Sequence, residues 1–298
     1  MNNIKNVFSI KDLENLSGIK AHTIRIWEKR YQILEPMRTD TNIRLYDLCS
    51  LQKLLNITFL HGYGYKISKI ASYPEAEIPE LVKQIISSKN SKNHAVSAFK
   101  MAMMNFDQQL FFNTYNWLAE EKSFREIFHQ VFMPLLTEIG LLWQTDTISP
   151  AHEHFISYLL RQKIILNSEK LQYEKPSRDD KVFVLSLPLG EIHELGLMYI
   201  HYEILLAGYK SIYLGESMPI HNLKDLKKHF DSIVYVSCLT VKPNRDEVNG
   251  YVQEMVDELS DESTELWYTG RLVSLIDSER LLNQIAVFNS IEELTSRL

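Results

Sequence analysis

The chain has 298 residues, 45% of them hydrophobic and 23% charged, with a formal net charge of −6, which excludes a disordered or fibrous polypeptide. Taken whole, that charge argues against nucleic acid. Taken by segment it does not, because residues 1–72 hold 11 Lys and Arg against 6 Asp and Glu, a basic module ahead of an acidic body.

In chain order, the N-terminus lacks the long apolar core of a signal peptide. No apolar run approaches the ~20 residues of a membrane span. Cys49 and Cys238 stand far apart, so a disulfide framework is not expected. These features predict a cytoplasmic chain with no membrane partner. FSIKDLENLSG reads as a short helix stopped at Gly18, and AHTIRIWEKRYQIL as a second helix. MRTDTNIRLY is polar and then alternates, as a small hairpin or wing does. Asp47 caps a longer helix, and Pro74 and Pro79 mark the end of a first domain, residues 1–75. Two short helices joined by a glycine turn and followed by a wing are a DNA-reading geometry. The second helix offers Lys20, His22, Thr23, Arg25, Lys29 and Arg30, and the wing offers Arg38, Asn42, Arg44 and Tyr46. These are donors of the kind that meet phosphates and base edges. From spacing alone, a solvated helix face and an ordinary hairpin account for them equally well.

Residues 80–175 carry helical periodicity, with helices predicted near 80–88, 92–104, 107–121, 124–142 and 150–170, the last capped by Ser149 with Pro150 in its first position. This is a helix bundle. Residues 180–298 change character: KVFVLSLP, KSIYLG, SIVYVSCL, ELWYTG and IAVFNS are short β-rich runs separated by helical segments. That alternation predicts an α/β domain with a parallel sheet. Neither a Walker-type P-loop nor the Gly-rich dinucleotide fingerprint is present, which lowers the case for NAD-type binding.

Two stretches hold residues suited to chemistry. In LPLGEIHELG, His193 follows the first predicted strand of the α/β domain, where open sheets bind ligands. An imidazole there can be a general base, a metal ligand or a hydrogen-bonded structural residue. Glu191 can accept from one ring nitrogen and leave the other for a metal, and Gly196 lets a large group lie close to the helix start. In LLWQTDTISPAHEHF, Trp143 is separated by nine residues from Glu153 and His154. Read without context, Trp143 ends a helix in the core and Glu153 favours the positive start of the next one. His152 and His154 are then surface histidines or part of a zinc site.

The wording of these segments adds a resemblance to known families. HTIRIWEKRYQILEPMRTDTNIRLY, with FSIKDLENLSGIK before it, resembles the MerR-type winged helix-turn-helix. The resemblance implies that His22, Thr23 and Arg25 enter the major groove, that Arg38, Arg44 and Tyr46 hold phosphates, and that the protein works as a dimer. Asn42 stands where a glycine is common, and asparagine tolerates the same positive φ. GEIHELG resembles the D/E-x-H-x-x-G signature of cobalamin-binding domains, in which the histidine is the lower cobalt ligand; here that is His193. Ser237 and Leu239 resemble the S-x-L signature of the same family. Thr269-Gly270 stands where a Gly-Gly pair is usual, a departure that bears on packing of the nucleotide tail. The spacing W-x9-E-H resembles the bundle motif of CarH-like photoreceptors, in which these residues cover the upper corrin face and contact the adenosyl group.

The combined resemblance implies a multidomain α and α/β protein. It comprises a winged helix-turn-helix (1–75), a four-helix bundle (80–175) and a Rossmann-like, doubly wound parallel sheet of cobalamin-binding type (180–298). It implies a light-responsive, non-enzymatic repressor that uses adenosylcobalamin and binds double-stranded operator DNA as a dimer or tetramer. Gln144, after Trp143, is a poor cobalt ligand beside imidazole, so a photoproduct with two histidine ligands needs its upper one from His152 or His154. Two other readings compete. One is a MerR-type regulator whose degenerate, cofactor-free C-terminal domain binds a protein. The other is a corrinoid methyl carrier, in which a DNA-reading module has no place.

Overall fold

The computed structural model describes residues 7–88, 92–144, 147–277 and 284–298. They divide into two units, Met1–Leu159 and Leu160–Leu298. In the first unit, strand β1 (Val7–Ser9) leads into α1 (Ile10–Ser17), and α2 (Ala21–Tyr31) is followed by the hairpin β2 (Met37–Arg38) and β3 (Arg44–Asp47). Helices α3 (Leu48–Gly62), α4 (Ile67–Ile70) and α5 (Glu77–Ser88) complete the N-terminal module. Ser9 caps α1 in a capping box with Asp12, and Gly18 ends it at φ 74°, the left-handed conformation a glycine adopts without strain. The wing is therefore present, and a strand not expected from the sequence joins it: the antiparallel order is β1-β3-β2. Asp47 caps α3 through the Ser50 N–H. Pro79 sits in the first turn of α5, where the missing N–H has no helical partner to lose, and α5 packs on α3.

The helical segments that follow are α6 (Lys92–Asn105), α7 (Gln108–Glu121), α8 (Phe124–Ile127), α9 (Met133–Gln144) and α10 (Pro150–Gln172). The single helix expected over 124–142 is interrupted by a π-helical turn at Phe128–Phe132. The extra residue rotates Phe128 and Phe132 into an aromatic core with Phe99, Phe111 and Phe124.

The second unit holds the C-terminal part of α10 and five parallel strands: β4 (Arg178–Ser186), β5 (Tyr209–Gly215), β6 (Ile233–Cys238), β7 (Thr264–Thr269) and β8 (Ile285–Phe288). Their order is β5-β4-β6-β7-β8. The helices are α11 (Leu195–Leu206), α12 (Ile220–Leu223), α13 (Val248–Leu259) and α14 (Ile291–Thr295). Strand pleating separates two cores. Val184, Tyr235 and Tyr268 face α12 and α13, whereas Leu185, Val236 and Trp267 face α11 and α14. The strand order reverses between β4 and β6, so the crevice for a ligand lies beyond the C-terminal ends of those two strands. Among the described residues no helix is long and apolar enough to cross a membrane.

Candidate functional site

The crevice is occupied by the loop after β4. Glu191 is fully buried, while the side chain of His193, two residues on, is 53% exposed. One oxygen of Glu191 accepts from His193 Nδ1 at 2.5 Å and from the N–H groups of Ile192 and His193 at 2.9 and 3.0 Å. The other accepts from the N–H groups of Val241 and Lys242, in the loop after β6, at 2.6 and 2.8 Å. Burial disfavours the charged carboxylate. The main-chain donors of Lys242 and Val241, with those of His193, outweigh it and bring the carboxyl down to about 2. An ionised carboxylate only accepts, so Nδ1 carries the proton of this bond, and Nε2 has no protein partner among the described residues. An imidazole with one nitrogen held by a carboxylate and the other open to solvent is an arrangement that suits a metal ligand. Around it Leu189, Ile192 and Val241 are 62%, 60% and 51% exposed, an apolar rim suited to a flat hydrophobic ligand.

The remaining α/β residues lie at the ends of β6 and β7. Ser237 is buried and donates to the Ser186 carbonyl at 2.9 Å, with the Tyr251 hydroxyl 3.4 Å away. Thr269 is buried on the strand face that carries Trp267, and its carbonyl accepts from Leu239 N–H at 2.8 Å. Gly270 has φ +109°, and a Cβ there would lie 2.6 Å from the Leu239 carbonyl oxygen. Gly270 is therefore required by the backbone of Leu239 itself. A Cβ at Gly196 would meet Ile291 at 3.5 Å, an ordinary contact, so the neighbour that this glycine admits here is α14. The donor chemistry fits a metal ligand at His193; of the residues expected at a nucleotide tail, Leu239, Thr269 and Gly270 are packed against one another, and Ser237 is bonded to Ser186. Glu194, next to His193, pairs with Arg161 at 2.8 Å and accepts from the Tyr213 hydroxyl at 2.8 Å, which fixes the start of α11. Sequence reading missed this trio.

In the first unit, Trp143 is 47% exposed at the end of α9 and His154 is exposed on α10. Glu153 accepts from Ser157 at 2.6 Å and lies 3.7 Å from His154 Nε2. The expectation that His152 is a surface group or a spare cobalt ligand is corrected. It is fully buried and stacked on Phe106, and its Nδ1 lies 3.2 Å from Ser149 N–H and 2.8 Å from Ser149 Oγ, so the ring closes the start of α10. The side chain of Gln144 lies outside the described residues.

On α2, Ile24 and Trp27 point into the core, leaving Lys20, His22, Arg25, Lys29 and Arg30 exposed and Thr23 half-buried. Arg38 and Asn42 are exposed in the wing, Arg38 donating to Asn42 Oδ1 at 2.6 Å, and Asn42 has φ 64° as expected. Arg44 and Tyr46 are placed differently from the other donors. Both meet Glu28 of α2, Arg44 Nε at 3.0 Å and the Tyr46 hydroxyl at 3.2 Å, and Tyr46 is fully buried. Burial first, and then the adjacent Glu28 charge, push the Tyr46 phenol upward; its bond to Glu28 holds Arg44 charged. Glu28, the single acid of α2, thus ties wing to helix. Its isolation among cations in WEKRY was the available signal.

Residues 8–77 match the family model described as MerR HTH family regulatory protein, and residues 96–166 match that described as B12 binding domain. The chain is 25% identical to the HTH-type transcriptional repressor CarH of Myxococcus xanthus over 229 residues, 72% of this chain and 73% of that one. It is 22% identical to the HTH-type transcriptional repressor CarA of the same organism over 241 residues, 79% and 73% of the two chains. Among solved structures it is similar to the Methanosarcina barkeri monomethylamine corrinoid protein, with a TM-score of 0.57, 11% identity and coverage of 70% of this chain and 98% of that one. At that identity the likeness concerns the fold alone.

Glu191 supplies a pH test. Its folded carboxyl titrates below the unfolded value near 4.5, so its stabilisation is complete above that pH and is lost as pH falls toward 2. Glu191→Gln is expected to lower the free energy of unfolding at pH 7 by on the order of 2–3 kcal/mol, a gap that narrows steadily below pH 4.5. Urea titrations at a series of pH values check this, and a pH-independent gap contradicts it.

Proposed function

Starting from a MerR-family DNA-binding regulator with a B12-binding domain, distantly homologous to CarH and CarA, we propose that this protein is a light-responsive repressor with adenosylcobalamin as its switch. The observation that carries the proposal is the Glu191–His193 pair: an anchored, solvent-facing imidazole at the topological switch point, ringed by exposed Leu189, Ile192 and Val241. When bound, the cofactor supplies a cobalt–carbon bond that visible light cleaves. His193 would hold the metal through Nε2, with Glu191 engaging Nδ1–H and orienting the ring. Leu189, Ile192 and Val241 would cover a flat apolar face of the cofactor and exclude water there. On the helical unit Trp143, Glu153 and His154 are assigned to the adenosyl group: an indole that is half exposed loses water on contact, and the carboxylate accepts from hydroxyls. Ser237, Leu239, Thr269, Gly270 and Gly196 are assigned to the tail, which requires the packing of Gly270 on Leu239 and of Gly196 on Ile291 to open.

The switch is a population shift. A ligand that binds the DNA-competent homo-oligomer better than the dissociated chain favours it, and loss of that differential affinity releases DNA. No bond-making by the protein is needed, so the function is regulatory and not enzymatic. On α2, His22, Thr23 and Arg25 read the major groove, with Lys20, Arg30, Arg38 and Asn42 on phosphates. Arg44 and Tyr46 serve through Glu28, holding the wing in register. A specific observation favours the cofactor-free reading in one respect: Ser237 is already bonded to Ser186, and Gly270 is closed against Leu239.

Full-length protein mixed with adenosylcobalamin in darkness is expected to acquire a cofactor spectrum that His193→Ala alters. Illumination should then weaken binding to DNA selected by the protein from a random library. A wild-type spectrum equal to that of free cofactor, with DNA binding indifferent to light, selects the cofactor-free regulator instead. Methyl transfer without DNA affinity selects the corrinoid carrier. Separately, Arg25→Ala should weaken binding to the selected DNA by about 1–3 kcal/mol at fixed salt. Unchanged anisotropy titrations count against the groove assignment.

A further inference from the structure

Lys100 of α6 is 8% exposed, and a lysine is almost never that buried without partners. Its ammonium donates to the Leu16 carbonyl at 3.1 Å and to Glu138 Oε2, on α9, at 2.6 Å. Leu16 lies in the last turn of α1, where open carbonyls and the helix dipole favour a cation, and that turn has no basic residue of its own. One residue earlier, Asn15 Nδ2 donates to Thr147 Oγ1 at 3.1 Å. Thr147 is fully buried, and its N–H is bonded to the Leu142 carbonyl at 2.9 Å. It stands in the segment between Trp143 and Glu153. Two consecutive residues of α1 are therefore bonded to groups 132 and 84 positions away in sequence.

α1 is bonded to the start of the reading helix. Glu14 of α1 accepts from Ala21 N–H, the first residue of α2, at 3.3 Å, and its other oxygen lies 3.4 Å from Lys20 Nζ. Whatever fixes α1 fixes α2. Solvent would serve the carbonyls of an exposed helix end without ordering a long lysine, which costs rotamer entropy.

We propose that Lys100, Asn15 and Thr147 are positioning residues for DNA reading. They clamp α1, and with it α2, to the helical segments, so that a shift of the Thr147–Glu153 segment reaches the DNA-reading module. The identity of the ligand that shifts the segment rests on the light-responsive repressor reading; the clamp itself rests on the bonds above.

The test uses the full-length chain. Amide hydrogen exchange over residues 10–19 is first measured without cofactor or DNA in wild type, Lys100→Met, Lys100→Arg, Asn15→Leu and Thr147→Val. Exchange in α1 is expected to quicken about tenfold in Lys100→Met and measurably in Asn15→Leu and Thr147→Val. Lys100→Arg, which keeps a cation at the carbonyl, should restore most of the protection, and β6 should be unaffected throughout. Should Lys100→Met not fold, the two milder variants decide, and wild-type exchange in both overturns the clamp. DNA affinity is then compared in darkness and after illumination with adenosylcobalamin bound. The dark-to-light ratio should fall toward one in Asn15→Leu and Thr147→Val while the cofactor spectrum is unchanged; a ratio equal to that of wild type overturns the coupling. A wild-type chain with no cofactor spectrum sinks the light reading alone, and the exchange rates still decide the clamp.

Discussion

The α/β unit depends on a carboxylate that five hydrogen-bond donors share. The loops after β4 and β6 diverge, because α11 packs on one face of the sheet and α13 on the other. Glu191 spans the gap, one oxygen serving its own loop and the second serving Val241 and Lys242. A buried charge is tolerated only when it is fully supplied with donors. Here the supply is mostly main chain, so it is indifferent to side-chain identity in the second loop. The result is an imidazole that cannot choose its tautomer, presented to solvent at the one place in a doubly wound sheet where a ligand fits between diverging helices.

The N-terminal module uses the same device for a different purpose. Glu28 is half-buried among cations, and Arg44 and Tyr46 close on it from the wing. The carboxylate converts two residues that resemble DNA contacts into a brace between helix and hairpin. The donors left exposed, His22 and Arg25 on the helix and Arg38 and Asn42 in the wing, are then presented by a rigid frame. Pre-organisation of that kind reduces the ordering cost that binding would otherwise carry. In both units a single acid, unremarked by charge counting, fixes the geometry of neighbouring basic or imidazole groups.

Much of this was legible in the sequence because periodicity and capping are local. Gly18, Asp47 and Ser149-Pro150 marked helix ends, and five β-rich runs marked the five strands of the parallel sheet. Glu191 and His193 were legible as candidates because an acid two residues before a histidine follows a strand; the bond between them was not, because loop conformation decides it. What was not legible depends on contacts between distant segments. Strand β1 forms only because Phe8 pairs with Tyr46. The π-helical turn answers to aromatic packing across helices. His152 is buried because Phe106, 46 positions earlier, stacks on it. Tyr46 shows the same limit: its hydroxyl could face phosphate or Glu28, and only the tertiary fold, by burying it, decides. Gly270 gives the converse lesson, since a glycine expected beside a ligand is demanded by Leu239.

The central claim is that Nε2 of His193 binds cobalt, and electron paramagnetic resonance of the full chain loaded with cob(II)alamin tests it most directly. An axial 14N nucleus splits each cobalt line into three and an axial 15N nucleus into two. With protein whose histidines carry 15N, the account predicts a change from triplets to doublets, and return to triplets, from the cofactor's own base, in His193→Ala. Triplets in the 15N-labelled wild type would show that no protein imidazole reaches the metal and would contradict the account.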